Sequence, residues 1–115
     1  MKKLFLCFLS LPLTFLLYSQ SSEVDSLVQL LDIYQQDTNR VHVLHQLTSK
    51  VRRYDLKTAE TYAKEGFALS QKLDDGLGQC RFYAEFGMIY LGRGDYEEAL
   101  KQVMEGAIFC EKIVI

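Results

Sequence analysis

His42 and His45 stand three residues apart, and Ser49 follows His45 by four. On a helix those spacings put all three side chains on one face. Two imidazoles so placed could touch one metal ion, and a serine near an imidazole could act as a nucleophile. Neither chemistry is completed in the sequence. No Cys, Asp or Glu is obviously spaced to finish a metal site, no acid orients the His45 ring, and no oxyanion donors accompany Ser49. Arg52 and Arg53 lie on the same stretch and suit carboxylates, which a guanidinium grips through two parallel hydrogen bonds. Two further strings have a chemical look. "GLGQC" (Gly76 to Cys80) lacks a preceding strand and a third glycine, so it is not a dinucleotide fingerprint. "GRGD" (Gly92 to Asp95) has the form of an adhesion tetrapeptide, but ahead of a helical run it is a turn and a cap. The expectation is a protein that is not an enzyme, with no catalytic residue, no metal and no cofactor; a small enzyme is the alternative, for which no constellation of residues is found.

The chain that carries these residues has 115 of them, 49% apolar, enough for one domain with a small core. Its net charge of −2 is too weak to draw nucleic acid by bulk attraction. The start has a different character. "MKK" precedes the apolar run "LFLCFLSLPLTFLLY" (Leu4 to Tyr18), and polarity returns with "SQSSEVDS". That is the layout of a secretory signal peptide over 1–19, with an uncleaved N-terminal anchor as the alternative. Export would place Cys80 and Cys110 in an oxidising compartment, where pairing is open to them. Their apolar helical surroundings equally fit two small buried side chains, which is the expectation.

Helical periodicity appears five times and strand alternation not at all. Ser22 is the expected cap of the first helix, with Asp25 reaching back and Val24, Leu27, Val28, Leu31 and Tyr34 inward. Asp37 or Thr38 caps the second, over 39–53, with Val43, Leu44, Leu47 and Val51 inward. Asp55 caps the third, over 56–73, which bears Ala59, Tyr62, Ala63, Gly66, Phe67 and Leu69. "DDGLG" (Asp74 to Gly78) marks a turn. The fourth helix is expected over 78–91 and the fifth, capped by Asp95, over 96–112. Connections this short make consecutive helices antiparallel.

The last four helices form two similar pairs. Ala59, Gly66 and Leu73 match Ala99, Gly106 and Ile113 at a spacing of forty. Leu47, Thr48 and Val51 match Phe86, Gly87 and Tyr90 at thirty-nine. A fixed period in this range signals stacked helical hairpins. Close helix approach explains the small residues, because a glycine inside a helix costs about 1 kcal/mol relative to alanine.

"YAEFGMIYLGRGDYEEAL" (Tyr83 to Leu100) resembles a tetratricopeptide repeat. Tyr83 takes the place of the first large aromatic, Phe86–Gly87 that of Leu-Gly, Tyr90 that of the tyrosine and Ala99 that of the small contact residue. Val103 stands where an aromatic is usual and Gly106 where alanine is usual. The earlier copy is weaker, with Leu44, Leu47, Thr48 and Val51, then Ala59 and Ala63. The resemblance covers roughly 39–112 and implies an all-α, right-handed solenoid of antiparallel hairpins. Domain organisation is then a signal peptide (1–19), a leading helix (20–36) and two hairpins (37–75 and 76–115).

In that family the first helices of successive hairpins line a groove that holds a peptide or a partner helix. The residues turned away from the core are His42, His45, Ser49, Arg52 and Arg53 on one wall, and Arg81, Ala84, Met88 and Leu91 on the next. One wall is basic and the other largely apolar, which suits an acidic, partly hydrophobic peptide. Nucleic acid is not an expected partner, and a membrane enters only through an uncleaved leader or a downstream segment. "FCEKIVI" ends on an apolar helix, which opens two alternatives to a stand-alone scaffold. One is the exported sensor end of a longer histidine kinase or DNA-binding regulator, as in similar bacterial arrays. The other is self-association through the last helix.

Overall fold

The computed structural model describes residues 22–114. The expected signal peptide lies outside them. Among the described residues the chain is all helix and turn: α1 (22–33), α2 (Thr38–Val51), α3 (Leu56–Lys72), α4 (Gly76–Arg93) and α5 (Tyr96–Val114). No helix among them is long and apolar enough to cross a membrane.

Aspartates start the helices. The Asp37 carboxylate accepts from Arg40 N at 3.0 Å, Asp55 from Thr58 N at 3.1 Å, and Asp75 from Gly78 N at 3.0 Å. Each satisfies an amide that the first turn leaves without a partner. Asp95 directly precedes α5, and its carbonyl accepts from Ala99 N at 2.9 Å. Three local expectations need correction. Ser22 is already helical, so it is not the cap of α1. Gly76 and Gly78 belong to the first turn of α4 rather than to the turn before it, and the positive φ there, 55°, falls on Asp74. Gly92 and Arg93 likewise continue α4, which ends in the left-handed Gly94 at φ 84°. That conformation suits glycine, which has no Cβ to clash.

Connections of four, three and two residues reverse the chain after α2, α3 and α4. The helices pack in sequence, α2 on α3, α3 on α4 and α4 on α5, with α2 also touching α4. Leu44, Ala59, Ala63, Phe82 and Ile89 are fully buried in the shared core. Ala59 and Ala99 are both buried, as stacked hairpins require. On α1, Val24, Leu27 and Leu31 are half-buried as expected, as is Tyr34 just past its end, whereas Val28 is exposed. The end of α1 is held by Arg40, whose Nη1 donates to Leu31 O at 2.6 Å and whose Nη2 meets Glu65 Oε1 at 2.8 Å. A cation at a helix C-terminus complements its partial negative charge.

The two matched glycines make close approaches of different kinds. A Cβ at Gly66 would lie 2.7 Å from Phe82 Cε1, a ring carried by the next hairpin. A Cβ at Gly106 would lie 2.7 Å from Tyr83 Cβ, on the helix paired with its own. Gly106→Leu is therefore expected to spread α4 from α5 and to cost about 2 kcal/mol. Thermal unfolding measures it, and an unchanged midpoint would remove this packing role.

Candidate functional site

α4 lies on the face formed by α2 and α3, and its contacts are specific. Phe82 closes on Gly66 and meets the His45 ring edge-on at 5.8 Å. Phe86 meets Phe67, also edge-on, at 5.8 Å. Arg93 forms an ion pair with Glu60, which also takes Lys64 at 3.2 Å. Between the two phenylalanines, Glu85 reaches α2. Its carboxylate accepts from Ser49 Oγ at 2.6 Å and Arg52 Nε at 2.9 Å, and His45 Nε2 lies 3.3 Å away. Burial alone would raise the Glu85 pKa. Hydrogen bonds from His45 and Ser49 and the Arg52 charge outweigh it, so the carboxyl sits below its ordinary value.

This corrects the basic wall. His45, Ser49 and Arg52 do not stand free for a ligand's carboxylate, because Glu85 of the same chain supplies one. It also supplies the acid that the His45 ring was expected to lack, although not in a catalytic order. A serine relay runs from hydroxyl to imidazole to carboxylate. Here the hydroxyl and the imidazole both end on one carboxylate. Of the remaining expected groove residues, His42, Arg53 and Arg81 are exposed. Among the described residues no group of three or more His, Cys, Asp or Glu side chains is placed to hold a metal ion.

Met88 belongs to a different surface. α4 and α5 together form a groove of about 590 Å³ on the side away from hairpin one. Gly87, Ala99 and Gly106 are its buried floor, while Met88, Leu91, Leu100 and Val103 rise exposed at its edges. Among the described residues no charged side chain lines it. Cys80 and Cys110, both half-buried, lie at one end and are joined as a disulfide, with Cα atoms 5.8 Å apart. The expectation of two separate buried thiols is thus corrected. The packing residues Phe86 and Tyr90 remain on the inner side, while Tyr83 lies between that side and the groove, which it helps to line. Phe86 is buried against Tyr90, and Tyr83 meets Phe67 edge-on at 5.1 Å.

Glu85, Phe82 and the Glu60–Arg93 pair are the contributors that periodicity alone did not single out. One signal was available. Glu85 interrupts the apolar series Phe82, Phe86, Ile89, and His45, Ser49 and Arg52 repeat at the spacing that would meet it. No family model matches this chain, and no curated protein or solved structure matches it either.

Proposed function

We propose that the chain is an exported, tetratricopeptide-like scaffold that binds a protein or peptide and performs no chemistry of its own. Its two hairpins would stack as a short right-handed solenoid, with the α4–α5 groove as the binding surface. The groove carries this reading. Folded domains seldom leave a continuous apolar hollow open to water unless something is bound there. Exposing Met88, Leu91, Leu100 and Val103 together forgoes burial worth about 25 cal/mol per Å² of apolar surface. The leader-like start and the Cys80–Cys110 bridge support export, since such bridges persist in oxidising compartments.

Site-specific photo-crosslinking in the producing cell tests the binding role. A crosslinker at Met88 or Leu100 is expected to trap a partner of defined mass, while one at exposed Thr61 on α3 traps none. Equal patterns from all three positions, or no adduct from the groove, would reject it. Export has its own check. Alkylation before reduction is expected to leave Cys80 and Cys110 unlabelled, and labelling of both in the freshly isolated protein would contradict it.

A further inference from the structure

The two hairpins present the same surface twice, and among the described residues only the first is covered. Residues 80–91 of α4 correspond to 41–52 of α2, and residues 96–110 of α5 to 56–70 of α3. The face of hairpin two that lines the open groove is therefore the counterpart of the face on which α4 lies in hairpin one. The occupant of the first groove is known. It is an 18-residue helix with Phe82, Phe86 and Ile89 inward, Glu85 set against His45, Ser49 and Arg52, and Arg93 set against Glu60.

The differences between the two faces say what the second groove would take. His45, Ser49 and Arg52 are replaced by Ala84, Met88 and Leu91, so the three donors that meet Glu85 have no counterpart. Glu60 is replaced by Leu100, so the carboxylate that meets Arg93 has no counterpart. Phe67, which packs on Phe86, is replaced by Ala107, which leaves room for a large side chain. The floor is not identical, because Tyr83 of the same hairpin already closes on Gly106.

From this, and resting on the binding role proposed above, we infer that the α4–α5 groove receives an amphipathic helix of a partner protein. That helix runs parallel to α4 and carries apolar residues at i, i+3, i+4 and i+7. It is apolar at i+3, where α4 has Glu85, and carries a bulky residue at i+4 facing Ala107. Charge is the discriminator. An acid at i+3 would be buried against Ala84, Met88 and Leu91 without a partner, which strongly disfavours binding.

Two synthetic peptides test this with the full chain, its Cys80–Cys110 bond intact. Both have the sequence of α4 with Cys80→Ala, and one also has Glu85→Leu. Fluorescence anisotropy is expected to show the Glu85→Leu peptide binding at least tenfold more tightly than the peptide that keeps the acid. Leu91→Arg in the protein, at an exposed position with helix content checked, restores the counterpart of Arg52 and is expected to reverse the preference. Equal binding of the two peptides, no binding of either, or a preference that Leu91→Arg leaves unchanged would overturn the inference. A dimer of the chain that Leu91→Arg dissociates would also overturn it, by making a second copy the occupant. If crosslinks from Met88 still trap a partner while these peptides fail, the binding role stands and this account of its ligand does not.

Discussion

Phe82→Ala is expected to lower the unfolding free energy by about 4 kcal/mol, a large share of what a small domain has. Phe82 is fully buried and joins both hairpins through Gly66 and His45. Truncation leaves a cavity where α4 packs on α2 and α3. The same contact predicts an unusual outcome at Gly66. In an exposed helix, Gly→Ala stabilises by about 1 kcal/mol. Here the added methyl meets the Phe82 ring, so Gly66→Ala is expected to destabilise by about 2 kcal/mol. Adding Phe82→Leu to Gly66→Ala should recover part of that loss, because the two positions share one space. Urea unfolding of the oxidised protein measures these variants together with Phe82→Leu alone, which completes the cycle. Additive losses in the double variant would mean that the ring does not sit on Gly66.

Glu85→Ala is expected to cost about 3 kcal/mol at neutral pH. It leaves the Arg52 guanidinium and the Ser49 hydroxyl without their acceptor at a half-buried helix contact. Glu85→Gln keeps the shape and loses the charge, and a cost of about 2 kcal/mol is expected. The pH dependence follows from the lowered pKa. A carboxyl depressed in the folded state stabilises above the unfolded value, about 4.3 for a glutamate, and loses that contribution as pH falls through the folded value. Glu60 contributes in the same sense. Burial opposes its ionisation, but Arg93 and Lys64 lower its pKa on balance. The wild type should therefore weaken as pH drops below about 4.3, and Glu85→Gln should show a shallower decline. Parallel curves for the two proteins would separate Glu85 from the acid sensitivity.

The starts of α2 and α3 were legible because a capping aspartate acts through amides two or three residues away. Asp37 and Asp55 needed no tertiary information. The matched glycines were legible for a similar reason, since a helix keeps Gly66 and Gly106 only where something presses close. Phe82 was harder to assign. α4 touches α2, α3 and α5, so apolar residues surround most of it, and periodicity favours Tyr83 as readily as Phe82. The basic wall failed on a pairing between helices. Helical spacing shows that His45, Ser49 and Arg52 share a face, but not that Glu85, 33 residues beyond Arg52, is folded against it. The disulfide was open for the same reason: spacing leaves Cys80 and Cys110 either paired or apart.

Hairpin one has a filled groove and hairpin two an open one. Methyl NMR of the isolated protein with a soluble paramagnetic agent tests this most directly. Leu44 and Ile89, sealed in the filled groove, are predicted to keep sharp signals, while Met88 and Leu100 broaden. Protected Met88 and Leu100 methyls, or broadened Leu44 and Ile89, would contradict the account.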